Sequence, residues 1–129
     1  MTAWNVTGVV LGAVIGALIR WCAVSVGPST TPSWTLVVVN TIGCAAMGYV
    51  LSSRDRRSER HQIALTVGFC GALTTFSGFV LDTAIVLDEQ RWALALSYVT
   101  GTVLVSILAV VAGRHAGRVR GSNLDRRLS

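Results

Sequence analysis

An all-α membrane protein with four spans, the third broken in mid-membrane, is predicted by three observations. The 129-residue chain is 52% hydrophobic and only 13% charged, with a mean hydropathy of +0.61; a soluble domain carries about 25% charge. Its apolar residues gather into four stretches, at 6–26, 34–51, 63–87 and 92–113. Each reaches the roughly 18 residues or more that cross a ~30 Å hydrocarbon core at 1.5 Å per residue. The third stretch alone holds Gly71, Thr74, Thr75, Ser77 and Gly78 in its middle. Gly costs about 1 kcal/mol against Ala in a helix, and Thr is a modest helix former. The four stretches use most of the chain, so residues 1–129 read as one membrane domain ending in a basic tail over 114–129.

The first stretch has no basic segment ahead of it and is expected to stay as a span rather than be removed as a signal. Gly8, Gly12 and Gly16 stand four residues apart along it. Such a stripe lets a second helix approach closely. Arg20 follows near the far end of the span, where it either snorkels or takes a buried partner. Gly27-Pro28-Ser29-Thr30-Thr31-Pro32-Ser33 is a turn-rich link. Trp34 and Trp92 open the second and fourth spans and suit a membrane interface. Asn40 is a lone amide near the middle of span two, where an unbonded amide costs several kcal/mol. It either bonds another helix or faces a pore. Tyr98, Thr102 and Ser106 repeat every four residues and place three hydroxyls on one face of span four.

All eleven basic residues are arginine. Arg54, Arg56, Arg57 and Arg60 lie between spans two and three, and Arg114, Arg118, Arg120, Arg126 and Arg127 lie after span four. With four spans these two segments share one side of the membrane; the opposite side holds only Arg91. The positive-inside rule places that basic side, with both termini, in the cytoplasm. The basic tail has no interleaved aromatics, so it reads as a topology signal in contact with lipid headgroups, not as a nucleic-acid arm. Cys22, Cys44 and Cys70 are odd in number, without a C-x-x-C pair, and are expected to be buried thiols. No catalytic set or metal-ligand spacing occurs, and no enzyme activity is expected.

Irregular backbone at membrane depth survives only where protein covers it or water reaches it, so the third-span break is the candidate working part. Phe76 and Phe79 face a similar direction at i, i+3. Aromatic rings have positive edges, and ring edges with hydroxyl and amide donors would solvate a small bare anion. Carbonyls freed at the break would instead hold a cation. Asp82 is an acid inside or at the rim of the span, and such residues are functional by default.

These residues resemble the Fluc (CrcB-type) fluoride channel family over nearly the whole chain. The resemblance is carried by Gly68-Phe69-Cys70-Gly71-Ala72-Leu73-Thr74-Thr75-Phe76-Ser77-Gly78-Phe79 with Asp82, by Gly12, Gly16-Ala17 and Arg20-Trp21, and by Val39-Asn40, Gly43 and Gly48. It implies passive, fluoride-selective export that protects the cytoplasm, through an antiparallel, two-fold dimer in a bacterial inner (plasma) membrane. It implies a structural Na⁺ at the dimer centre on the carbonyls of Gly71 and Thr74. It places Phe76, Phe79 and Asn40 on the anion pathway, with Ser77 and the Tyr98–Thr102–Ser106 face as a polar track, and Arg20 near the vestibule. The chain departs from the family pattern at Ala13, Ala72, Thr35-Leu36, Gly78 and Asp82, where paired Gly, Gly-Thr, Thr and Glu are common.

A homodimer of oppositely inserted copies needs a weak arginine bias. Nine against one is strong, so a non-identical partner of opposite topology is expected, with a homodimer as the fallback. Two alternatives stay open on the residues. One is a small four-span cation or multidrug transporter, although its usual first-span acid is absent here. The other is a non-conducting assembly subunit.

Overall fold

The computed structural model describes residues 3–52 and 59–128, with side-chain surroundings over 6–52 and 61–120. Its helices are α1 (Ala3–Val26), α2 (Trp34–Ser52), α3 (Glu59–Ile63), a π-helical segment (Ala64–Cys70), α4 (Gly71–Leu73), α5 (Phe76–Asp88) and α6 (Trp92–Leu128). Four regions are long and apolar enough to cross a membrane: Val6–Val26, Trp34–Ser52, His61–Asp88 and Trp92–Arg120. Between 6% and 28% of each apolar window is buried, so most apolar side chains face outward. One copy covers little of its own hydrophobic surface; lipid or another protein must cover the rest.

The glycine stripe of α1 packs against the third span. A Cβ on Gly12 would lie 2.6 Å from the Ala64 carbonyl oxygen and 3.0 Å from the Phe69 nitrogen. A Cβ on Gly16 would strike the Phe69 carbonyl, and one on Gly68 would lie 2.5 Å from the Val9 carbonyl oxygen. The two backbones therefore touch through glycines from both sides. The π-helical segment is the partner in this contact. Nothing in Ala64-Leu65-Thr66-Val67-Gly68-Phe69-Cys70 announces it, since its composition suits an ordinary helix.

On the other side of the molecule α2 lies along α6. Gly48 abuts the Val110 carbonyl and Gly113 abuts the Ala45 backbone. Arg120 Nη1 donates to the Tyr49 hydroxyl at 2.7 Å and ties the two helix ends together. Gln90, with φ of 59°, turns the chain from α5 into α6. Trp34 and Trp92 are largely exposed at the helix starts, as an interfacial position requires.

Several expectations change in detail. The break is confined to Thr74 and Thr75, both extended, while Gly71 and Gly78 are helical. The segment from 114 onward is not a separate tail but a continuation of α6 to Leu128. Of the three free cysteines only Cys70 is buried; Cys22 is exposed on α1 and Cys44 is half-buried. Arg54, Arg56 and Arg57 lie outside the described residues.

Gly12→Val should lower the melting temperature of the purified protein in detergent by several degrees, because backbone atoms cannot step aside for the new side chain. Gly101, where an added Cβ would meet nothing within 4 Å, gives the contrast: Gly101→Ala should hold or gain up to about 1 kcal/mol from helix propensity. Thermal melts of both variants check the pair.

Candidate ion site at the break in the third span

The break exists because side chains from α1 and α2 replace the missing helical hydrogen bonds. In a continuous helix the Thr75 N–H would donate to the Gly71 carbonyl. Here it donates to Asn40 Oδ1 at 2.8 Å, and Asn40 Nδ2 donates to the Thr75 carbonyl at 3.1 Å. This pair fixes which way the amide points, since each end of the amide meets its own complement. Arg20 Nη1 donates to the Thr74 carbonyl at 3.1 Å. Arg20 thus takes a half-buried backbone partner instead of snorkelling away. Gly43 is buried in α2 and leaves room for the Thr74 methyl, which would lie 2.5 Å from a Cβ there.

Thr75 then starts α5. Its Oγ1 accepts from the Gly78 N–H at 3.2 Å and shares a hydrogen bond of 3.1 Å with Ser77 Oγ. Side-chain capping of this kind contributes about 1 kcal/mol. It also aims the positive end of the α5 dipole at the break. A Cβ on Gly78 would lie 2.9 Å from Leu36 Cδ1 and 3.2 Å from Thr75 Cγ2. Gly78 thus lies against Leu36 and the capping Thr75, and a larger residue there must push one of them aside.

Beside the break is a cleft of ≈ 300 Å³ between α2, α5 and α6. Of the sequence-predicted site residues it brings together Asn40, Thr74, Phe76, Phe79, Thr102 and Ser106. Thr102 Oγ1 is buried without a hydrogen-bond partner. A buried hydroxyl left unbonded is a free donor and acceptor on the cleft wall. Phe76 and Phe79 are 5.8 Å apart between centroids and tilted by 39°. Phe79 stacks on Tyr98 at 5.6 Å, so that face is occupied. Tyr98 in turn meets Trp34 edge-on at 6.0 Å.

The remaining predicted residues surround the cleft without lining it. Tyr98 is 2% exposed, and its hydroxyl donates to Asp82 Oδ2 at 3.2 Å. The same carboxylate oxygen accepts from the Ser33 N–H at 2.8 Å. Asp82 therefore joins the start of α2 to α6 and is paired with these groups, not with Arg20. Ser77 is exposed and bonded to Thr75. Gly71 lies one turn before the break. The sequence reading missed Thr75, Cys44, Val103 and Ile107 as cleft residues. Cys44 was recoverable, since it stands four residues after Asn40 on the same helix face.

Residues 7–114 match the family described as CrcB-like protein, Camphor Resistance (CrcB). Three relatives are named Fluoride-specific ion channel FluC or FluC 2. The protein from Paracoccus denitrificans is 37% identical, covering 85% of this chain and 91% of its own. FluC 2 from Symbiobacterium thermophilum is 38% identical, covering 83% and 92%. The Stutzerimonas stutzeri protein is 38% identical, covering 86% and 94%.

Asn40→Leu should destabilise the protein by about 2–4 kcal/mol, because it strands both the N–H and the carbonyl of Thr75. Thr41→Val, one residue away, should cost less than about 1 kcal/mol, since the Thr41 hydroxyl only bonds back to the Val37 carbonyl. Denaturation midpoints of the two variants in detergent check the difference.

Proposed function

The chain belongs to the CrcB-like family, and from that premise we propose that it is a subunit of a fluoride-specific ion channel, not an enzyme. The observation that carries the proposal is the cleft itself. It joins the ring pair Phe76 and Phe79, the Asn40 amide and the unbonded Thr102 hydroxyl beside the positive end of α5. These are weak donors and partial positive charges, suited to replacing the water of a small anion without holding it as a full cation would. Ser106 extends the wall, and Ser77 and Tyr98 fix Thr75 and Phe79 from behind. The chain is a multi-pass membrane protein; the cell membrane, with both termini in the cytoplasm, is the setting that its arginine distribution supports. An interior-negative potential there drives an anion outward by about 2.3 kcal/mol per 100 mV, so passive conduction is export.

A structural Na⁺ fits the donors present. Carbonyl oxygen is the ligand that a hard cation takes. The Gly71 carbonyl has lost the Thr75 N–H, and the Thr74 carbonyl keeps one lone pair beside Arg20. When bound, the ion would neutralise carbonyl dipoles gathered from two facing breaks. One copy offers only these two carbonyls, so the fit requires a second subunit to complete the shell.

The same need appears in the exposed surface: Phe76 is 77% exposed in the single chain. The subunits are proposed to pair antiparallel, with a non-identical paralogue of opposite topology as the partner. The strong arginine bias supports this, and the numbered name FluC 2 of one relative is in keeping with it.

Fluoride efflux from liposomes should be fast and should exceed chloride efflux at least about 100-fold, a difference of about 2.7 kcal/mol. It should require the second subunit if the pairing is right. Phe79→Leu should lower fluoride flux more than about 10-fold with an unchanged gel-filtration profile. Uptake of cations driven by a proton gradient in place of fluoride flux would overturn the reading. Terminal tags accessible on both sides of the membrane in cells would overturn the single orientation.

A further inference from the structure

The cleft at the break is not the only hollow on the faces of α2 and α6. A second hollow of ≈ 420 Å³ is walled by Met47, Leu51, Val110, Arg114 and Arg118, among others. The two hollows occupy one pair of helix faces. On α2, Asn40 and Cys44 of the first are followed by Met47 and Leu51 of the second. On α6, Val103 and Ile107 are followed by Val110 and Arg114. Steps of four, three and four residues hold one face of a helix. The two hollows are therefore aligned along the same faces of α2 and α6, and the second is walled by the arginine pair. From Ile107 to Arg114 the rise is about 10 Å, and Arg118 lies about 6 Å further.

These arginines are free to act on an ion. Arg120 is held by Tyr49. Among the described residues, by contrast, the side chain of neither Arg114 nor Arg118 makes a hydrogen bond or ion pair. Both are exposed, and both also wall a neighbouring hollow with His115. A topology signal requires arginines only somewhere on this side of the membrane. It does not require two unpaired guanidinium groups walling a second hollow on the faces that carry the cleft.

We infer that Arg114 and Arg118 form an anion-collecting mouth for the pathway, binding fluoride weakly before it enters the cleft. This rests on the fluoride-channel reading and adds to it the site of capture. The apolar residues Val110, Met47 and Leu51 separate the mouth from the cleft. The capture step is thus electrostatic, while selection belongs to the donors at the break. Fixed charge of this kind raises entry rates by factors of about 10 or more and weakens steeply with salt.

The test compares the full-length chain, in whichever preparation conducts (alone or with its second subunit), with Arg114→Gln/Arg118→Gln and Arg114→Lys/Arg118→Lys. Liposomes are of zwitterionic lipid. At about 10 mM ionic strength, where screening reaches ~30 Å, the glutamine variant should lose about five-fold or more of the fluoride efflux rate. Near 1 M salt, where screening reaches ~3 Å, it should approach wild type. The lysine variant should stay within about two-fold at either salt, with fluoride-over-chloride preference unchanged in all. Equal rates at low salt, a loss that salt does not reduce, or an effect seen only with anionic lipid would each overturn the inference. A second measurement stands apart from conduction: ¹⁹F line broadening of millimolar fluoride by the detergent-solubilised chain. It should fall in the glutamine variant and persist in Phe79→Leu. If no wild-type preparation conducts, the channel reading fails, and the mouth is decided by this broadening alone.

Discussion

Two hydrogen bonds between the Asn40 amide and the backbone of Thr75 hold a gap in a membrane helix. The hydrocarbon interior offers no water to satisfy a released N–H or carbonyl. A gap is stable only if other side chains take over each group, and Asn40 takes both groups of one residue. Arg20 takes the carbonyl of the residue before it. Thr75 then caps the next helix with its own hydroxyl. The Phe76–Phe79 pair and the cleft beside it are where they are because this exchange succeeds.

Tight packing elsewhere supports the exchange. Arg20 can reach Thr74 because glycines let α1 lie against the third span, backbone on backbone. Asn40 can reach Thr75 because Gly43 admits the Thr74 side chain. Asp82 secures the middle of α5 by bonding the start of α2 and Tyr98 of α6. The polar groups deep in the spans are thus mostly structural ties. At the cleft, Thr102 differs: its buried hydroxyl is left open, and Ser106 stands one turn further on the same wall.

The spans were readable in the sequence because a bilayer imposes a length and an apolar composition that few other structures share. The polar outliers Arg20, Asn40 and Asp82 were readable for the same reason: each is costly in apolar surroundings and so must have a partner. Which partner was not readable. Arg20 and Asp82 have opposite charge, yet each chose neutral groups of the backbone or a phenol. The π-helical turn at Ala64–Cys70 was invisible because it arises from packing against α1, not from local propensity. The Tyr98–Thr102–Ser106 spacing predicted a shared face correctly, but three residues at that spacing drift around the helix. Tyr98 ends behind Phe79 while Thr102 and Ser106 meet the cleft.

The partner of Arg20 lies 54 residues further along the chain. A ribosome adding about 5–20 residues per second needs roughly 3–10 s to supply it. Throughout that interval the guanidinium of the first span has no carbonyl waiting, and the Asn40 amide waits for a partner 35 residues away. These ties between the first two spans and the break can therefore close within the chain only after the third span has been made. The residues synthesised last of each pair, Thr74 and Thr75, complete bonds whose donors were made seconds earlier.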